Sequence, residues 1–123
     1  MEPTDDRSGP GFASHMVSRV TIVMYHYVRE LPFTRYPRIR GLLASDFSKQ
    51  LDFLQQHHNF VRIEDCLGAI YGDKALPVGA ALLTFDDGYL DHYTNVFPVL
   101  AQRGIQGAFF PPAKAVVENA VLD

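Results

Sequence analysis

Between Gly79 and Gly88 the chain reads Ala80-Ala-Leu-Leu-Thr-Phe85 and then Asp86-Asp87, an apolar run of strand length ending in two adjacent carboxylates. The run shows no alternation of apolar and polar residues, so neither of its faces can look at water. A strand covered on both faces belongs to a parallel sheet with helices packed against it. With 123 residues, 47% of them hydrophobic and 20% charged, the chain has the composition of a globular protein and the length for one core.

The flanking segments fit that frame. Arg19 to Tyr25 is rich in β-branched and apolar residues and reads as a mostly buried strand. Arg29 to Arg40 holds prolines and arginines without apolar periodicity and reads as a surface loop. Ser45 suits an N-cap and Asp46 a first turn, while Phe47, Leu51 and Leu54 recur at helical spacing, which predicts a helix ending near His57. After an extended piece from Phe60 to Arg62, Ile63 to Tyr71 reads as a second helix that buries Ile63, Leu67 and Ile70 and stops at Gly72. Asn95 to Arg103 reads as a third, with Pro98 in its first turn and Gly104 closing it. Gly107 to Phe110 is a last strand, stopped by Pro111-Pro112 and followed by a tail. Strands alternating with helices imply parallel pairing through helical crossovers. The expected fold is α/β, a sheet of about three strands with an open edge.

Residues 1–16 are crowded with Pro, Gly, Ser and Asp and lack both a basic start and an apolar stretch of signal-peptide length, so they read as a disordered extension or cloning scar before a domain over residues 17–123. A net charge of -3 gives no basic stripe for nucleic acid, and no apolar run approaches a membrane span. Cys66 is the sole cysteine, which excludes a disulfide framework and a Cys-rich zinc module; among Ile63, Leu67 and Ile70 it reads as a small buried hydrophobe, and the cellular compartment stays open.

In parallel α/β architectures ligands bind beyond the carboxyl ends of the strands, where Asp86 and Asp87 fall. Adjacent residues leaving a strand point in different directions, so one carboxylate can hold a metal ion while its neighbour takes a proton from water. Taken alone, Asp-Asp-Gly also suits an ordinary turn.

The longer string Thr84-Phe-Asp-Asp-Gly-Tyr89, continued by Tyr93, Asn95, Pro98, Leu100, Gly104 and Phe109-Phe110, resembles the first signature of the polysaccharide deacetylases, the NodB-homology or carbohydrate esterase family 4 domain. Val23-Met-Tyr-His-Tyr27 is similar to the opening strand of the branch that acts on surface polysaccharides. The resemblance implies the N-terminal part of a distorted (β/α) barrel, incomplete in this chain, and metal-dependent hydrolytic deacetylation of an N- or O-acetylated polysaccharide. It also implies roles. Asp86 is the catalytic base, Asp87 binds the divalent metal, zinc with cobalt or nickel as alternatives, and His26 is a substrate-binding or site-adjacent residue. Thr84 and Phe85 support the site from the strand, and Gly88 lets the chain turn beside it. Members of the family often act outside the cytoplasm.

The family's second motif, His-(Ser/Thr)-x-x-His, has no counterpart among His15, His26, His57, His58 and His92. His57 and His58 read as solvated helix-terminal residues, and His92 as a surface helix position, with an approach to the acidic site as its alternative. A catalytic zinc keeps three protein ligands, and the resemblance supplies one, so the chain is expected to be the opening part of a longer polypeptide and to lack activity by itself. The alternative is a non-catalytic glycan-binding or scaffold module on a degenerate deacetylase fold. A receiver domain, which also gathers acidic residues at strand ends, needs its acidic pair on the first strand and does not match. An unfinished sheet is further expected to self-associate through its open edge.

Overall fold

A computed structural model of the chain describes residues 19–35, 38 and 40–119, so the expected extension over residues 1–16 lies outside it. Strand β1 (Thr21–Tyr25) is followed by helix α1 (Ala44–His57), the short strand β2 (Asn59–Phe60), helix α2 (Ile63–Tyr71), strand β3 (Ala80–Asp86), helix α3 (Phe97–Arg103), strand β4 (Ala108–Phe110) and helix α4 (Ala113–Val117). All pairings between these strands are parallel, as helical crossovers require. β1 runs along β3 from Thr21↔Ala81 to Tyr25↔Phe85. A strand has two edges, so β2, which pairs with the start of β3, and β4, which pairs with its end, share the other.

β3 is the spine, buried from Ala80 to Phe85 as its uninterrupted apolar run requires. Leu83 and Phe85 meet Phe47, Leu51 and Leu54 of α1 and Leu100 of α3 on one face. Ala80 and Leu82 meet Cys66 of α2, together with Val61, Leu76 and Ala108, on the other. Fully burying a side chain such as Leu83 or Phe85 stabilises by ~1.5–3 kcal/mol relative to exposure, and cutting Leu83 to alanine would cost about 2–5 kcal/mol through the cavity it leaves.

Several expectations need correction. β1 is not mostly buried: Ile22 and Met24 are 56% and 59% exposed, because β1 pairs only with β3 and one of its faces has no cover among the described residues. The first helix begins at Ala44 with Leu43 as its N-cap, two residues before the expected Ser45, and no side chain among the described residues caps it. In α2 the buried position is Cys66, packed with Ile63 and Ala69, while Leu67 and Ile70 lie on the exposed side. The third helical segment is divided: a π-helical turn, His92–Val96, leads into α3, where Pro98 occupies the first turn and Gly104 closes the helix in the left-handed conformation. The expected tail after Pro112 forms α4 instead. No helix among the described residues is long and apolar enough to cross a membrane.

Candidate active site

The two carboxylates leave the end of β3 in different backbone states. Asp86 is the last strand residue, in register with Phe110 of β4, and the Asp87 amide donates to the Phe110 carbonyl at 3.2 Å. Asp87 itself has φ +77°, a left-handed conformation that L side chains rarely adopt. Gly88 follows at φ +61°, and a Cβ there would stand 2.9 Å from Cβ of Pro111. Glycine is therefore required at position 88 twice over, by conformation and by space. Strained backbone of this kind concentrates at functional sites, where it aims a side chain that a relaxed turn would point elsewhere.

The register of β1 against β3 brings a third group in. Because Tyr25 pairs with Phe85, His26 emerges beside Asp86, and its Nε2 lies 3.8 Å from Oδ2 of Asp86 and 3.8 Å from Oδ2 of Asp87. That is too long for a direct hydrogen bond and leaves a gap that a small bridging species such as water can span. The side chains are 49%, 30% and 38% exposed for His26, Asp86 and Asp87, so the cluster opens to solvent.

Tyr89 braces the pair from behind. Its hydroxyl donates to Asp87 Oδ2 at 3.1 Å, its ring stacks on Tyr27 at 4.1 Å, and the Arg29 guanidinium lies over the Tyr27 ring at 4.3 Å. Burial first, then hydrogen bonding with Tyr27 and Asp87, pushes the Tyr89 hydroxyl well above the ordinary tyrosine value, which keeps it protonated as a donor. Phe85 is fully buried and stacks on Tyr25 and Phe109, so the strand carrying the acids is held between aromatic rings. Thr84 is buried too, and its Oγ1 has no hydrogen-bond partner among the described residues.

His92 is not the surface residue its position in the sequence suggests. It is 5% exposed, packed against Phe85, Tyr89 and Phe109, and its Nε2 donates to the backbone carbonyl of His26 at 2.8 Å. The lone sequence carries no signal for this, since the contact spans the sheet. His57 does lie exposed at the end of α1, where its Nδ1 meets the Phe53 carbonyl at 2.8 Å, whereas His58, the next residue, is half-buried and its Nδ1 lies 3.2 Å from the Gly79 carbonyl.

Among the described residues no group of three or more His, Cys, Asp or Glu is arranged to hold a metal ion. Carboxylate and imidazole are suitable donors for zinc, cobalt or nickel, but the donors of this segment fall short of a closed site by themselves.

A parallel α/β sheet with paired acids at the end of its central strand defines the class to which the chain belongs, and comparison with known proteins narrows it. Residues 73–122 match the family model of polysaccharide deacetylases. The chain is 39% identical over 64 residues, 51% of its length, to the poly-beta-1,6-N-acetyl-D-glucosamine N-deacetylase of Escherichia coli (strain K12), covering 10% of that protein. It superposes with a TM-score of 0.62 on IcaB from Ammonifex degensii, at 35% identity over 79% of this chain and 42% of that one. It shares the fold of the de-N-acetylase of Aggregatibacter actinomycetemcomitans, with a TM-score of 0.71, 22% identity, and 85% and 42% of the two chains covered. Over these stretches the chain is similar to polysaccharide deacetylases, and it shares part of their fold. It spans about two-fifths of the length of these solved relatives, and 40% of YxkH of Bacillus subtilis (strain 168), with which it is 22% identical over 117 residues.

Proposed function

We propose that the protein containing this chain removes acetyl groups from an N-acetylated amino-sugar polysaccharide by hydrolysis. The observation that carries this reading is the convergence of Asp86, Asp87 and His26 at the end of β3, with Asp87 held in a left-handed conformation. The 39% identity to an N-deacetylase of poly-β-1,6-N-acetylglucosamine supports an amide over an ester substrate.

In this reading Asp86, on regular strand backbone, is the general base. It takes a proton from water as the water oxygen forms a bond to the acetamide carbonyl carbon, and the tetrahedral adduct then breaks its C–N bond as the nitrogen takes up that proton, so that the sugar amine leaves and acetate remains. His26, across the gap from both acids, borders the space a substrate enters and contacts it. Asp87 is assigned to a divalent metal, zinc with cobalt or nickel as alternatives, whose further ligands come from outside the described residues. When bound, such an ion supplies Lewis-acid polarisation and an acidified water.

The absence of a three-ligand cluster among the described residues favours one rival, a glycan-binding module that has lost catalysis. Acetate release from N-acetylglucosamine oligosaccharides by the full-length protein separates the two. Release that disappears in Asp86→Asn supports the hydrolase, whereas oligosaccharide binding without release supports the module.

A further inference from the structure

β1 ends at Tyr25, yet the three residues after it remain hydrogen-bonded on both sides. On one side the backbone meets Leu42: the Tyr27 carbonyl accepts from the Leu42 amide at 3.0 Å, and the Arg29 amide donates to the Leu42 carbonyl at 3.0 Å. On the other side no strand is present among the described residues, and side chains take its place. The carbonyl of His26 accepts from Nε2 of His92 at 2.8 Å, the amide of Val28 donates to Oδ2 of Asp91 at 3.3 Å, and the carbonyl of Val28 accepts from Nδ2 of Asn95 at 2.8 Å. The same Asp91 oxygen accepts from Nε of Arg29 at 2.7 Å. Odd-numbered residues thus bond to Leu42 and even-numbered ones to the turn after the acidic pair, which is the alternation of a strand between two neighbours.

The donors and acceptors of this substitute edge sit on and just before the π-helical turn His92–Val96. Such turns widen the helix by a residue and recur at functional sites. His92 is also poorly provided for as a purely structural residue. A carbonyl oxygen can only accept, so Nε2 carries the hydrogen, and the buried Nδ1, set among aromatic rings, has no partner among the described residues. A leucine would fill that space without an unpaired acceptor. What an imidazole adds is the bond to His26.

We propose that His92 and Asn95, with Asp91, are positioning residues: they replace a β partner for residues 26–28 and hold His26 at equal distance from Asp86 and Asp87 before substrate arrives. The proposal rests on the reading of Asp86 and Asp87 as the reacting centre. Fixing a group in its working geometry lowers the reorganisation needed at the moment of reaction, and a misplacement of about 1 Å can change a rate ~100-fold.

The test uses the full-length protein and acetate release from N-acetylglucosamine oligosaccharides, with rates taken per folded molecule. His92→Leu and Asn95→Ala should each lower kcat by roughly 10- to 100-fold with little change in KM. His92→Gln, whose amide nitrogen can reach the place of Nε2, should recover most of the loss. In a His26→Ala background neither substitution should lower the rate further, because the group they hold is gone. Parent rates in both single variants, or losses that multiply undiminished in the His26→Ala background, would overturn the proposal. If His92→Leu fails to fold, Asn95→Ala decides alone. If His26→Ala leaves no measurable rate, NMR of the His26 ring decides: resonances that move in both variants support the clamp, and unmoved ones overturn it. An Asp86→Asn control that retained the parent rate would instead refute the catalytic reading, so the two failures are distinguishable.

Discussion

The hydroxyl of Tyr89 donates a hydrogen bond to Oδ2 of Asp87, the residue beside the proposed general base, while the tyrosine ring stacks on Tyr27. The stack fixes the ring, the ring fixes the hydroxyl, and the hydroxyl limits how Asp87 can turn. Tyr89→Phe keeps the stack and removes only the bond. Outer partners of a ligating carboxylate are typically worth ~10–100-fold in metal affinity or activity. The full-length Tyr89→Phe protein should therefore lose about that much in acetate release or metal affinity while its thermal melt stays close to that of the parent. Unchanged rate and affinity would mean that Asp87 needs no brace.

The left-handed backbone at Asp87 predicts a trade between stability and function. A non-glycine residue in that region costs ~1–2 kcal/mol, so Asp87→Gly should be more stable than Asp87→Ala by about that amount, although both remove the carboxylate. Gly88→Ala should destabilise, since φ is +61° and the added Cβ meets Pro111 at 2.9 Å. Denaturant melts of the three variants check the ordering.

How much of this was legible in the sequence depends on how local each determinant is. β3 could be read because a strand covered on both faces must be apolar throughout, and Phe47, Leu51 and Leu54 because one helix face packs on it. The exposure of β1 could not: alternation says which face of a strand is apolar, not whether anything covers it. α2 was placed correctly in the chain yet turned the wrong way, because Ile63, Cys66 and Ala69 form as good a stripe as Ile63, Leu67 and Ile70, and only the neighbouring Val61 and Leu76 decide between them. In the site, Asp86 and Asp87 stand out as adjacent acids at a strand end, whereas the closeness of His26 follows from strand register. The burial of His92 depends on a π-helical turn for which the sequence has no marker.

The open sheet edges predict association of the isolated polypeptide. Phe110 at the β4 edge is 51% exposed, and Ile22 and Met24 on β1 are more so. Phe109 is partly sheltered by its stack on Phe85, so Phe110 carries most of the apolar surface at that edge. The 123-residue chain alone should sediment as oligomers or larger species, and Phe110→Lys, which puts a charge on the edge, should shift it towards monomer. A clean monomer with a sharp cooperative melt in the parent chain would show that these residues already close their own sheet.

The central claim is the division of roles between neighbouring acids, and metal analysis beside acetate release in the full-length protein tests it most directly. Losing a positioned general base typically lowers a rate by ~10²–10⁴ and leaves the ligand sphere intact, whereas losing one ligand weakens the metal site itself. Asp86→Asn should therefore abolish most acetate release while keeping nearly the full metal content, and Asp87→Asn should lose both. Equal metal loss in the two variants, or acetate release that survives Asp86→Asn, would contradict the account.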